Sequence, residues 1–562
     1  MQTKNLALIL IILLGTFLRV YHLNQGDVLG DEALLGFRSV GLTDFDEAPK
    51  QTTPLEWFDG NIPWWTKLSF HDHPPLVFWI QHSFISVSGE TAWAFRLPSA
   101  IFGIASIYLL YLLGKSLYEK KVGLLAALLL AVNSNHVYIS RIGLQESYVI
   151  FFILLTIYAV IRTTKNPRFF LLVGASLGLG LLTKYTAIIL IPLCLVYLLI
   201  YNRGLFKSRF FYFGAGIALL IVSPIIVYNL MLYSAVGHFD FQLSYIFGQH
   251  PKIWQENPGK QIGSFLERLT IFPTRLFLTY SPFFLISFFS GLAWLMISRV
   301  RKKPRNIKDK TTPSDTIVFL SLTFLTILII AIGPSYRFIT MLAPVMALTL
   351  GTTFAAVTAK KMLNGLIFTA VGIEIIYSIN TNLALSPRGI VPWAYAATAE
   401  ETRSYGYHQL ATYFNQELKN LMPALTLEPR YKFLNDLQTK SLAEDLSAKK
   451  LRQAIMIIYD DSLQSFAQLW YLDRLQVYKA WPVLKLQTHQ SILAQNGENY
   501  FRSAGFSRAY FILPTKAVPL KSNSPTSQGL SLAHNLQIAQ QPLAILKNDK
   551  NFPTFYIYKF TP

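Results

Sequence analysis

Asp31 and Glu32 stand side by side after Gly30, a short way beyond the first apolar run of the chain. Such a pair reads plainly as two solvated loop acids. A carboxylate at a half-dry interface, however, takes a raised pKa and can serve as a base. A second group is His71-Asp72-His73, followed by Pro74, Pro75, Leu76 and Trp79. The prolines favour an extended entry, and the apolar run behind them suits a stretch lying along a membrane surface. Two histidines beside a carboxylate can bind zinc, but the spacing offers no clear third ligand. His71, Asp72 and His73 read better as hydrogen-bond or phosphate partners.

A third set consists of charges next to apolar runs: Arg96, Arg141, Glu146, Lys184 and Arg337. A charge at membrane depth costs about 2.5–3.5 kcal/mol or more and tends to mark a functional site. Snorkelling to the headgroups is the plainer account. Carboxylates and cations converging on one face suit an anionic, lipid-borne substrate. Glu374 lies inside an apolar run, where a buried cation could pair with it, and the sequence gives it no role.

The elements that position these residues are apolar spans. They fall near 5–20, 93–114, 122–137, 146–162, 169–183, 186–202, 210–232, 276–298, 316–333, 338–357 and 363–380. A bilayer needs ~20 mostly apolar residues, so the pattern predicts about 11 transmembrane helices. The first run lacks a small-residue cleavage pattern before Arg19 and reads as a retained helix rather than a signal peptide. Gly174-x-x-x-Gly178 reads as close helix packing. No strand flanks it, which excludes a dinucleotide-binding fold.

Composition agrees. Of 562 residues, 52% are hydrophobic and 14% charged, against ~25% charged in soluble domains. One cysteine, Cys194, excludes a disulfide framework and a cysteine-rich metal site. The net charge of +20 would suggest nucleic acid in a soluble protein. Here Lys and Arg gather in alternate connections near 115–121, 162–168, 203–209, 299–310 and 360–361, which the positive-inside rule assigns to the cytoplasm. The charge is a topology signal, and no nucleic acid is expected. By parity the N-terminus is cytoplasmic, and the acidic loop 21–92, loop 233–275 and the tail from 381 face outward.

The tail is polar and basic. Ala454–Tyr459, Ala509–Leu513 and Phe555–Phe560 read as strands, and Tyr407–Leu418 as a helix with Leu410, Ala411, Phe414 and Leu418 on one face. Ser522–Ser527 reads as the most flexible stretch. The expected fold is therefore a polytopic α-helical membrane protein with a C-terminal extracytoplasmic α/β domain. Residues 1–380 form the membrane domain, with the site-bearing loop 21–92, and 381–562 form the soluble domain.

Several stretches follow one another in the order of a known family. They are Leu18-Arg19-Val20-Tyr21 through Gly30-Asp31-Glu32; His73-Pro74-Pro75-Leu76 with Trp79; and Arg96-Leu97-Pro98-Ser99-Ala100 with Gly103. Arg141 to Glu146, Thr183-Lys184-Tyr185, and Arg337-Phe338 with Pro344 continue the series. Over residues 1–360 the chain resembles the dolichyl- or polyprenyl-phosphate-sugar transferases. These are the protein O-mannosyltransferase and aminoarabinose transferase relatives, with the GT-C fold.

The resemblance implies a multi-pass enzyme of the cell membrane that moves a sugar from a polyprenyl phosphate to an acceptor hydroxyl with inversion. Asp31, with Glu32 beside it, would be the general base or would position the hydroxyl. His73, Arg141, Lys184 and Arg337 would hold the donor phosphate, and His71, Asp72 and Glu146 would line the substrate. The acceptor would be a protein, lipid or glycan. No cofactor and no catalytic metal are expected in this branch. Where the aminoarabinose branch carries Lys this chain has His73, and where an Arg usually follows the Asp-Glu pair it has Leu34. Both departures argue against aminoarabinose transfer to lipid A and fit the broader bacterial branch. Tyr185 replaces a usual Gly. The 233–275 loop has no room for the β-trefoil insert of the eukaryotic mannosyltransferases.

A lipid transporter or flippase would also have such spans and buried charges. The long acidic first loop, the folded tail and the lack of two similar halves fit it poorly. A non-enzymatic scaffold with the tail as a binding module is a third class.

Overall fold

A computed structural model describes residues 2–48, 51–254, 263–301, 313–357, 362–539 and 541–562. The basic stretches 302–310 and 360–361 lie outside the described residues. The chain divides into two compact units. The first holds residues 1–24, 49–51 and 64–400; the second holds 25–48, 52–63 and 401–562. The loop 21–92, expected to lie wholly in the membrane domain, is thus divided between the units.

The first unit is helical, and each expected span coincides with a helix or a bent helix pair. Among the described residues, five helices are long and apolar enough to cross a membrane: Ala92–Leu117, Glu146–Thr163, Arg209–Val236, Pro313–Ile332 and Tyr336–Ala356. Two bent pairs raise the number to seven. Lys120–Val132 meets Ser134–Arg141 at 60°, and Phe265–Thr279 meets Pro282–Ser298 at 118°. Leu6–Val20, Leu76–Ser88, Phe169–Thr183 and Tyr185–Tyr201 are shorter apolar helices.

Helix starts follow local chemistry. Thr91 caps Ala92–Leu117 by accepting from Ala94 N, Asn133 caps Ser134–Arg141 by accepting from His136 N, and Ser335 accepts from Phe338 N. The Gly174 pattern does mark close packing. A Cβ on Gly174 would sit 1.9 Å from Gly214 O on helix Arg209–Val236, so the two backbones touch only because both residues are glycine.

The second unit carries a five-stranded sheet. Its strands are β3 (Ile455–Tyr459), β4 (Val483–Lys485), β5 (Arg508–Pro514), β6 (Ala544–Lys547) and β7 (Pro553–Phe560), in the order β4-β3-β5-β7-β6. β3 pairs in parallel with β4 and β5; β7 runs antiparallel to β5 and β6. β1 (Leu421–Pro423) and β2 (Leu451–Gln453) form a separate parallel pair. Met456, Ile458, Phe511, Leu513 and Tyr558 contribute to one core cluster. The three strands and the helix read from the tail sequence are present, the helix as Tyr407–Glu417. Ser522–Thr526 forms turns in which Asp460 Oδ2 accepts from Thr526 Oγ1 at 2.5 Å, and Ser527 opens helix Ser527–Ala539. The local composition suggested a looser segment because Asp460 is distant in sequence.

Candidate functional site

The helices of the first unit bring three of the candidate charges to one point. Glu146 is the first residue of helix Glu146–Thr163, where unpaired backbone N–H groups and the helix dipole favour a carboxylate. Lys184 occupies extended backbone between helix Phe169–Thr183 and the turn Tyr185–Ile189. Its Nζ lies 2.6 Å from Glu146 Oε1. Arg337 projects from the short helix Tyr336–Ile339, and its Nε is 3.7 Å from the same oxygen. Both cations lie over the Phe338 ring, at 4.7 Å and 5.1 Å from its centroid.

The side chains of Glu146, Lys184 and Arg337 are 1%, 10% and 24% exposed. Two cations share one carboxylate oxygen in a partly dry, aromatic-walled place. Fixed cations in such surroundings stabilise a phosphate oxyanion more strongly than the same cations in water. Glu146 Oε2 is buried with no hydrogen-bond partner among the described residues. The carboxylate therefore holds the two cations through one oxygen.

Arg141 belongs to a different group. Its Nη1 donates to Leu18 O and Tyr21 O at 3.1 Å and 2.8 Å, and its Nη2 to His22 O at 3.0 Å. Arg96 Nη1 donates to Leu23 O. Arg19 donates to Gly15 O, Ala131 O, Leu130 O and His136 Nδ1. Guanidinium groups only donate, so His136 Nδ1 is the acceptor. These arginines satisfy orphan carbonyls at the ends of the first helix and of Lys120–Val132. The expectation of a phosphate ligand at Arg141 meets a guanidinium already engaged with three carbonyls.

His71, Asp72 and His73 form a third group. Asp72 Oδ1 lies 3.0 Å from His73 Nδ1 and 3.9 Å from His71 Nδ1. His71 Nε2 lies 3.0 Å from Gln51 Nε2, and His71 O accepts from Phe241 N at 2.7 Å. Beside Phe241, Asp240 accepts from Tyr185 Oη at 2.5 Å, Asn229 Nδ2 at 2.9 Å and Leu243 N at 2.8 Å. Burial pushes the Asp240 carboxyl up, and these three hydrogen bonds oppose the rise. The result is a bonded chain from the residue after Lys184 to the segment bearing His73. Gln51, Tyr185, Asn229 and Asp240 were not among the candidates read from the sequence. Asp240 alone left a signal, an N-cap residue before Phe241–Ile246.

Asp31 and Glu32 belong to the second unit. Gly30, at φ +56°, opens helix Gly30–Gly41, and the two carboxylates fill its first turn, Glu32 buried and Asp31 half-buried. Leu34 and Phe37 on this helix belong to a cluster with Phe433, Leu434, Val477 and Tyr478. Asp27, another acid of the same loop, is a helix cap. It accepts from the backbone N–H groups of Tyr405, Tyr407 and His408, at the start of helix Tyr407–Glu417.

Residues 72–228 match the family model described as dolichyl-phosphate-mannose-protein mannosyltransferase. Two proteins of Bacillus subtilis (strain 168), YycA and YkcB, each provisionally named a mannosyltransferase, are 27% and 24% identical over 242 and 240 residues. Those matches cover 42% and 40% of this chain. The chain spans about a third of the length of these curated relatives, 33% and 31%. The crystal structure of ArnT from Cupriavidus metallidurans bound to undecaprenyl phosphate superposes with a TM-score of 0.51 at 12% identity, over 98% of this chain and 97% of that one. The likeness shows a shared polytopic helical fold. Together the findings show a mannosyltransferase-like stretch over residues 72–228 and a helical fold shared with ArnT.

Proposed function

We propose that this chain belongs to the GT-C polyprenyl-phosphate glycosyltransferases and is a glycosyltransferase. It moves a hexose or pentose from a polyprenyl phosphate to an acceptor hydroxyl on the outer face of the cell membrane. The observation that carries the reading is the Lys184–Glu146–Arg337 arrangement, two cations held on one carboxylate oxygen in a partly dry place at helix ends.

In the proposed reaction the acceptor oxygen attacks the anomeric carbon from the face opposite the phosphate. The carbon–oxygen bond to phosphate breaks, and polyprenyl phosphate leaves with the electron pair. Asp31, assisted by Glu32, takes the hydroxyl proton. Lys184 and Arg337, with His73, receive the charge growing on the phosphate. Glu146 keeps the two cations in place, and His71 and Asp72 orient His73. Arg141 acts as a positioning residue through the end of the first helix. The acceptor is a protein, lipid or glycan hydroxyl. The topology proposed with this reaction has about 11 crossings, a cytoplasmic N-terminus and an extracytoplasmic α/β tail.

The test is a transfer assay with purified protein in lipid. Each polyprenyl-phosphate sugar of a panel is supplied alone and release of polyprenyl phosphate is read. Turnover with one sugar, reduced on the order of 10²–10⁴-fold in Asp31→Asn, is the expected result. Absence of both donor binding and turnover across the panel would overturn the reading and return attention to a transporter.

A further inference from the structure

Glu374 takes no part in the groups above, and its surroundings are unusual for membrane depth. It lies on helix Met362–Asn382 and is 2% exposed. Phe368, Ile373, Ile376 and Ile379 on the same helix are exposed and apolar. The buried face carries Glu374, Tyr377, Ser378 and Asn382. Positions 374, 378 and 382 recur every four residues and so share one stripe about 12 Å long.

Both bent helix pairs break against this stripe. At one break, Ser281 Oγ donates to Glu374 Oε1 while accepting from Phe284 N, and so caps helix Pro282–Arg301. At the other, Asn382 Nδ2 donates to Ser134 O and Ser134 Oγ, at 3.1 Å and 3.2 Å. Next to Ser281, Tyr280 Oη donates to Ile339 O at 3.0 Å. Glu374, Ser281, Ser378, Asn382 and Ser134 therefore form a line of polar residues along the stripe and the two breaks. Irregular backbone at membrane depth is tolerated where it is buried in protein or lines a water-filled cavity.

The polar groups here are not all satisfied by protein. Both polar atoms of the Asn135 amide, Tyr377 Oη, Ser378 Oγ and Asn382 Oδ1 are buried with no hydrogen-bond partner among the described residues. Five such atoms along the stripe and beside the break at Ser134 call for water. Among the described residues no cation pairs with Glu374; Ser281 is its hydrogen-bond partner. The titratable groups nearby are Tyr377 on the same helix, Tyr280 at the break, and His136, whose imidazole is held by Arg19. A lone ionised carboxylate is not stable there. One positive charge balances it; two would leave a buried excess. The donors are all hard oxygens, which suit a proton or an alkali cation and not a transition metal.

We propose that this buried polar line is a second site of the membrane-spanning unit, hydrated, and that it binds one monovalent cation, a proton or sodium, at Glu374.

Infrared difference spectra of the full-length protein, wild type minus Glu374→Gln, test it in sodium-free choline buffer and in sodium buffer, each in H₂O and D₂O. If the charge is a proton, a protonated-carboxyl band assigned to Glu374 persists in both buffers and shifts in D₂O. If sodium takes the place, the band is lost as sodium replaces choline. Either result supports the site. Carboxylate bands alone in both buffers, or a protonated band that does not shift in D₂O, would overturn it. Should Glu374→Gln fail to fold, Ser281→Ala keeps the carboxyl, removes its hydrogen-bond donor and identifies its band by moving it.

Discussion

Arg141 and Lys184 look alike in the sequence: each is a lone cation at the end of an apolar run. Their surroundings differ. Arg141 directs its guanidinium at three carbonyls of a helix end, and those bonds use the positive charge where it stands. Lys184 shares one carboxylate oxygen with Arg337, so its positive charge is held by a side chain and not by a helix end. The first arrangement fixes a helix; the second is the one that the proposed function assigns to the donor phosphate. Depth in a membrane therefore says that a charge matters, and its partners say for what.

The sharpest way to break this comparison is Lys184→Met. Loss of one fixed cation from a developing oxyanion should reduce turnover on the order of 10²–10³-fold with unchanged membrane insertion. Unchanged turnover per folded molecule would put Lys184 with Arg141. Arg141→Met should do the reverse. Three charge-assisted bonds to a helix end are lost, so stability should fall by about 3 kcal/mol while turnover per folded molecule stays within a few-fold. Thermal unfolding beside the transfer assay reads both. An intact midpoint with a tenfold weaker donor would reassign Arg141 to the phosphate.

Asp473, in the second unit, sharpens the comparison from the side of the carboxylate. It is buried, accepts from Tyr459 Oη at 3.3 Å, and is pushed up to about 6, chiefly by burial and against the pull of Lys485. A carboxyl with a raised folded pKa binds more protons folded than unfolded. Its stabilising effect is full below the unfolded value and is lost as pH rises through about 6. Asp473→Asn should therefore stabilise the protein at pH 7 by about 1–2 kcal/mol and have no such effect below pH ~4. Denaturant midpoints at the two pH values check it; an equal effect at both would contradict the burial account. The smallest effect is expected from Tyr185→Phe, which removes one hydrogen bond to Asp240. A loss of about 1 kcal/mol of stability with less than tenfold change in KM for the donor is the expected outcome.

Much of this was legible in the sequence, because apolar period and length report helices directly. The spans, the strand Ile455–Tyr459 and the helix Tyr407–Glu417 emerged from patterning alone. Lys184, Glu146 and Arg337 were legible as charges at depth, but their meeting depends on three helix ends far apart in sequence. The engagement of Arg141 was hidden, since its acceptors are backbone carbonyls that carry no residue signature. Asp27 read as one more loop acid because the helix it caps begins at Tyr407, far along the chain. Asn135 and Ser378 were invisible for a similar reason: a small polar residue in an apolar run becomes informative only when its partners are known to be missing.

The most direct test of the central claim is binding of polyprenyl phosphate, the leaving group itself, to purified protein in lipid nanodiscs. The account predicts a Kd weakened on the order of tenfold or more in Lys184→Met and in Arg337→Met, at about 1.4 kcal/mol per tenfold, and little changed in Arg141→Met. Equal Kd values for wild type, Lys184→Met and Arg337→Met would contradict it.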